Sequence, residues 1–218
     1  MNKLIIFDFD GTIADSMWCW DALGKDMMIA NNIPIFDDYD KVIRTMSVPH
    51  FAIYMSKYYP QLGTSENIMN KWHEKMIFNY KTKVHLKKGV VPFLEYLKSM
   101  HYTLYLASAT HLKVLSKALA HFQINHYFDF IITEETIGIS KRDPKIYQIC
   151  MDKAGVDAKH VYIFEDANHA VATAIKLGFH VCAVEDNSMR NHKEEIKQIA
   201  ELYVSDFSDI EKLKKFIG

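Results

Sequence analysis

The sequence predicts an α/β protein, a parallel sheet wound on both faces by helices, with a block of helices inserted early in the chain. Three observations lead to this reading. From residue 84 onward, short apolar runs of strand type alternate with helical stripes. Several of those runs stop abruptly in polar clusters. Between residue 15 and about residue 82 no strand is obvious, and apolar residues recur at helical spacing. A parallel strand buried on both faces is apolar throughout, and its carboxyl end opens into the crevice where such sheets bind ligands.

The first run, Leu4-Ile5-Ile6-Phe7, ends in Asp8-Phe9-Asp10-Gly11-Thr12. Asp8 and Asp10 lie on one side of an extended chain, with Cα atoms roughly 6 to 7 Å apart, close enough to share a divalent ion or a substrate. Gly11 lets the backbone turn away. A helix follows from Ala14 to about Asn31, striped by Trp20, Leu23, Met27 and Ala30, and Asn31-Asn32-Ile33-Pro34 stops it. Helical spacing resumes at Tyr39 to Arg44, Pro49 to Tyr59 and Glu66 to Tyr80, the last carrying Met69, Trp72, Met76 and Tyr80. Helices inserted after a single strand read as a lid on an α/β core. The expected division is therefore a core of residues 1–14 and 83–218 with a helical cap of residues 15–82.

Lys88-Gly89-Val90 leads into a helix with Phe93, Leu94, Leu97 and Met100 on one face. The β-rich run Tyr102 to Ala107 ends in Ser108-Ala109-Thr110, and Leu112, Leu115 and Leu119 mark the next helix. Phe130-Ile131-Ile132 is a third strand, followed by a polar loop to Ile139. Ser140-Lys141-Arg142-Asp143-Pro144 opens a helix through Ile146, Ile149 and Cys150, with proline suited to its first turn. His160 to Phe164 is a strand stopped by Glu165-Asp166-Ala167-Asn168, and its following helix ends at Gly178. Phe179 to Val184 and Leu202 to Val204 complete the strands, with a helix across residues 191–200 between them.

Composition narrows the function. Among 218 residues, 26 Lys and Arg nearly cancel 27 Asp and Glu, so no excess of positive charge points to a nucleic acid polymer or an anionic membrane. Cys19, Cys150 and Cys182 are widely spaced and lack a CxxC pair, which favours reduced thiols and a cytoplasmic location. No stretch approaches a membrane span, and no signal peptide is expected. His73-Glu74 lacks the second histidine of a metalloprotease motif.

Taken singly, the polar residues are ordinary. Ser108 reads as a helix cap, Lys141 as a surface lysine, and Glu165-Asp166 as acids complementing a helix dipole. Their shared placement changes the reading, because parallel strands joined by right-handed crossovers bring their carboxyl ends to one crevice. Asp8, Asp10, Glu165 and Asp166 together would repel one another and any anionic substrate. Such a pocket calls for a divalent cation, and oxygen ligands suit Mg2+. With Lys141 and a hydroxyl donor beside it, the set matches what a transferring phosphoryl group requires.

Asp8-Phe9-Asp10-Gly11-Thr12, Ser108, Lys141-x-Asp143-Pro144 and Phe164-Glu165-Asp166, in that order, resemble the four motifs of the haloacid dehalogenase superfamily. The helices before Lys83 resemble the inserted cap of its β-phosphoglucomutase and phosphoglycolate phosphatase group. The resemblance implies a Rossmann-like core, with Asp8 as the nucleophile forming an aspartyl phosphate and Asp10 as the acid and base. It also implies Asp166, the Asp8 carboxylate and the Asp10 carbonyl as Mg2+ ligands, and Ser108 with the Ala109 amide on the phosphoryl oxygens. Lys141 would neutralise nucleophile and phosphate; Thr12 and Glu165 would support the site. Arg142 stands where the family often has proline, and is expected to face solvent. The cap loop lacks the glycine common in relatives, which leaves Arg44 and His50 as candidate leaving-group contacts.

The implied activity is Mg2+-dependent hydrolysis of a small phosphorylated metabolite. A dehalogenase would lack Asp10, since it transfers no proton to an alkoxide. A sugar phosphomutase keeps Asp10 and differs in the acceptor of the phosphoryl group. A non-catalytic phosphate-binding or regulatory scaffold is the alternative of another class, disfavoured by retention of every catalytic residue type.

Overall fold

The structure is a computed structural model that describes residues 3–44 and 46–218, with the Arg44 side chain outside the description. In chain order the elements are β1 (Leu4–Phe7), α1 (Met17–Ala30), α2 (Tyr39–Arg44), α3 (Val48–Tyr58), α4 (Ser65–Thr82), α5 (Val90–Ser99), β2 (Thr103–Ser108), α6 (Leu112–His121), β3 (Phe130–Thr133), α7 (Glu134–Ile137), α8 (Lys145–Ala154), β4 (Val161–Glu165), α9 (Asn168–Lys176), β5 (His180–Val184), α10 (Lys193–Ile199), β6 (Leu202–Val204) and α11 (Ile210–Ile217). They fall into two compact units: the segment through Met17 with Val84–Gly218, and Trp18–Lys83.

In the first unit the strands form one parallel sheet in the order β3-β2-β1-β4-β5-β6. This is the Rossmann-like α/β core that the sequence predicts. β1 lies between β2 and β4, with Phe7 level with Leu106 on one side and Phe164 on the other. The strand order therefore reverses direction at β1, and the crossover helices go to opposite faces on its two sides. Every residue of β1 is buried, which explains its unbroken apolar run.

The two faces are packed differently. Leu4 and Ile6 point into an aliphatic cluster with Ile163, Val181, Ile146 and Val171, so α8 and α9 cover that side. Phe7 points the other way into an aromatic cluster. Its ring stacks on Phe164 at 4.8 Å, and Phe93 meets it edge-on at 6.3 Å. Such pairs add about 0.5–1.5 kcal/mol each beyond the area they bury.

The second unit has its own core. Phe51 stacks on Trp72 at 5.5 Å and meets Tyr39 edge-on at 5.7 Å. A Cβ at Gly24 would lie 2.1 Å from the Tyr39 hydroxyl oxygen and 2.6 Å from the Phe51 ring, so glycine in mid-helix permits this close approach. The buried stripe of α1 is Cys19, Leu23, Gly24 and Met28. The spacing expectation of Trp20, Met27 and Ala30 was rotated from it, because a helix rich in apolar residues on several faces does not reveal which face meets a neighbour. Two elements were not anticipated. α7 lies within the stretch expected to be loop, and α11 closes the chain with Leu213 and Ile217 buried. No helix among the described residues is long and apolar enough to cross a membrane.

Candidate active site

Strand ends assemble the site. Asp8 follows β1, its amide donating to the Phe164 carbonyl at 3.0 Å, so it stands beside the end of β4. Ser108 ends β2 on the other side, and Glu165 ends β4. Lys141, on the turn before α8, extends its ammonium to Asp8 Oδ1 at 2.5 Å and to Glu165 Oε1. A solvated lysine at a loop is the ordinary case, whereas this one is 4% exposed and shared between two acids.

Gly11 makes the turn after Asp10 with φ +86°. A Cβ there would fall 2.4 Å from Asp166 Oδ2, so glycine serves both the left-handed backbone and the approach of Asp166. Thr12 Oγ1 donates to Asp166 Oδ1 at 3.1 Å, which fixes that carboxylate against the first loop. Glu165 Oε2 accepts from the amides of Asp166 and Ala167 at 2.8 and 3.1 Å, stabilising the entry to α9 while its other oxygen holds Lys141.

Asp8, Glu165 and Asp166 each offer a carboxylate oxygen within 4.8 Å of the others. Burial, outweighing the pull of Lys141, pushes the Asp8 carboxyl up to about 8, and Glu165 adds to the rise. Asp166 is likewise held well above the usual carboxylate range, by burial first and then by Glu165 and Asp8. Burial alone would lower Lys141, but Asp8 and Glu165 raise it well above an ordinary lysine. Three buried acids therefore face one buried cation. The oxygen-only, electron-rich donor set suits a hard divalent cation, which would relieve the charge that burial opposes.

Of the expected ligands, Asp8 and Asp166 lie in the gathered carboxylate set, beside Glu165. The Asp10 carboxylate is gripped by hydroxyls, Ser16 Oγ on Oδ1 at 2.6 Å and Thr110 Oγ1 on Oδ2 at 2.5 Å. Neither hydroxyl was singled out from sequence. Thr110 lies two residues past Ser108, so proximity to that strand end was the available signal; Ser16 had none. Ser108 is fully buried, and its Oγ accepts from the Thr110 amide at 3.1 Å across Ala109. Glu134, also missed, accepts from the Lys141 amide at 2.7 Å and so fixes the turn that carries the lysine.

Arg142 is exposed, its amide donating to Ser140 Oγ at 3.2 Å. In the second unit His50 is exposed, its Nδ1 lying 2.8 Å from Ser47 Oγ. The Arg44 side chain lies outside the described residues.

Residues 5–184 match the family of haloacid dehalogenase-like hydrolases. The chain belongs to that family. It is similar to the phosphorylated carbohydrates phosphatase of Thermotoga maritima, with 25% identity over 179 residues that cover 81% of this chain and 82% of that one. Hexitol phosphatase B of Escherichia coli is 27% identical over 166 residues, 74% of each chain. Among solved structures, β-phosphoglucomutase from Clostridium difficile superposes with a TM-score of 0.75 at 18% identity, over 100% of this chain and 97% of that one. That likeness concerns the fold.

Proposed function

We propose that this hydrolase is a Mg2+-dependent phosphatase that releases phosphate from a small phosphorylated sugar or sugar alcohol through an aspartyl phosphate. The observation that carries the reading is Lys141 shared between Asp8 and Glu165 in a buried acidic cluster at the end of β1. The phosphatase names of the two similar curated proteins support the ester class.

In this mechanism Asp8 attacks phosphorus, and the bond from phosphorus to the leaving oxygen breaks. Asp10 gives a proton to that oxygen, then takes one from the water that hydrolyses the aspartyl phosphate. Lys141 opposes the rise that burial imposes on Asp8 and places a positive charge beside the anionic substrate, while Ser108 and the Ala109 amide bind phosphoryl oxygens. Asp8, Asp166 and the Asp10 carbonyl would hold Mg2+, with Glu165 and Thr12 supporting them. When bound, the cation supplies charge neutralisation for phosphate and carboxylates. The helical unit Trp18–Lys83 has the role of the family's cap in this reading.

The test is a panel of hexose and hexitol phosphates with Mg2+. Phosphate release that is abolished by EDTA and by Asp8→Asn supports the reading. Interconversion of phosphosugars faster than release would assign a mutase instead, and inertness toward the whole panel would favour the scaffold.

A further inference from the structure

Asp10 is held by two hydroxyls that come from different parts of the core. Ser16 is six residues along the same loop. Thr110 belongs to the β2–α6 loop, a hundred residues away in sequence, and is brought alongside by the pairing of Phe7 with Leu106. Both hydroxyls donate, one to each carboxyl oxygen. Two donors on opposite oxygens fix the position and the plane of the group.

Thr110 is suited to the task. It is 5% exposed, β-branched and therefore confined in χ1, and its amide is tied to Ser108 Oγ at 3.1 Å. The loop that holds Asp10 is thus the loop of Ser108 and Ala109. A shift of one moves the other.

Resting on the proposed role of Asp10 as the acid and base, we infer that Thr110 is a positioning residue that aims the Asp10 carboxyl at the leaving oxygen and locks that aim to the phosphate-binding loop. It touches no reacting atom. Its contribution passes through Asp10 and follows the need for a proton on the leaving group. An alkyl phosphate expels a basic alkoxide and depends on that proton; 4-nitrophenyl phosphate expels a weakly basic phenoxide and depends on it little. The constant kcat/KM reports steps up to cleavage of this bond, before water enters.

The experiment compares kcat/KM for an alkyl sugar phosphate and for 4-nitrophenyl phosphate in wild type, Thr110→Val, Thr110→Ser and Asp10→Asn, with circular dichroism establishing that each variant is folded. General acid help is worth about 10²–10⁴-fold, so misaiming it in Thr110→Val should cost roughly 10-fold more on the alkyl than on the aryl ester. Thr110→Ser, which keeps the hydroxyl, should restore the wild-type ratio. If Thr110→Val does not fold, Thr110→Ala takes its place. Equal losses on both esters, with Asp10→Asn still selective against the alkyl ester, overturn the role of Thr110 alone. Absence of selectivity in Asp10→Asn itself overturns the assignment of Asp10, and the inference falls with it.

Discussion

The ammonium of Lys141 lies 2.5 Å from Asp8 Oδ1 and also contacts Glu165, with all three side chains withdrawn from water. One cation thus answers two buried acids. Lys141→Met should leave Asp8 and Glu165 unneutralised and cost about 3–5 kcal/mol, the range for breaking a buried ion pair from one side. Asp8→Asn should behave oppositely. It removes a carboxyl that burial already pushes up to about 8, and leaves Lys141 paired with Glu165. Urea denaturation in EDTA should rank Asp8→Asn well above Lys141→Met, while neither releases phosphate.

Mg2+ should stabilise the folded protein, because the cluster of Asp8, Glu165 and Asp166 exists only when β1 and β4 are paired. A ligand at 100 times its Kd adds about 2.7 kcal/mol by mass action. The melting temperature should rise with Mg2+ in wild type and much less in Asp166→Asn. A wild-type melting curve indifferent to Mg2+ would rule out the cation site, whatever the assay of activity gave.

Gly11→Ala should fold poorly around the site. It places a Cβ 2.4 Å from Asp166 Oδ2 and requires φ +86° of a residue with a side chain. Gly138, at φ +66° with nothing within 4 Å of such a Cβ, separates the two effects. Gly138→Ala should show only the backbone strain of about 1–2 kcal/mol. Gly11→Ala should in addition weaken Mg2+ binding, read from the Mg2+ dependence of melting.

The thiols supply a prediction in pH. Burial pushes Cys150 up to about 12 from 9.0, and raises Cys182 as well. An acid whose folded pKa is raised contributes stability below its unfolded pKa and loses it as pH climbs to the folded value. Urea stability should therefore decline between about pH 9 and 12. At pH 8 a thiol reagent should leave the folded protein unlabelled and react with Cys19, Cys150 and Cys182 only after unfolding, since all three are buried.

Much of this protein can be read in one dimension. β1 shows itself because a strand covered on both faces is apolar at every position, and it ends at Asp8 because the sheet ends there. Ser108 and Glu165 were legible for the same reason at the ends of β2 and β4. The short α7 was not, since four residues span barely one helical turn and carry no periodicity; with it went Glu134, which anchors the Lys141 turn. The face of α1 also escaped, because its apolar residues outnumber those that one face can bury.

The sequence by itself determined the kinds of chemical group present, their attachment to strand ends, and through them the family. Tertiary structure alone decided how they pair: Lys141 between Asp8 and Glu165, Thr12 on Asp166, and Thr110 on Asp10 from a hundred residues away. The physical reason is that local pattern records which side chains leave water. Which buried charge meets which donor depends on strand order and register, and β1 acquires its neighbours β2 and β4 only when the whole sheet has formed.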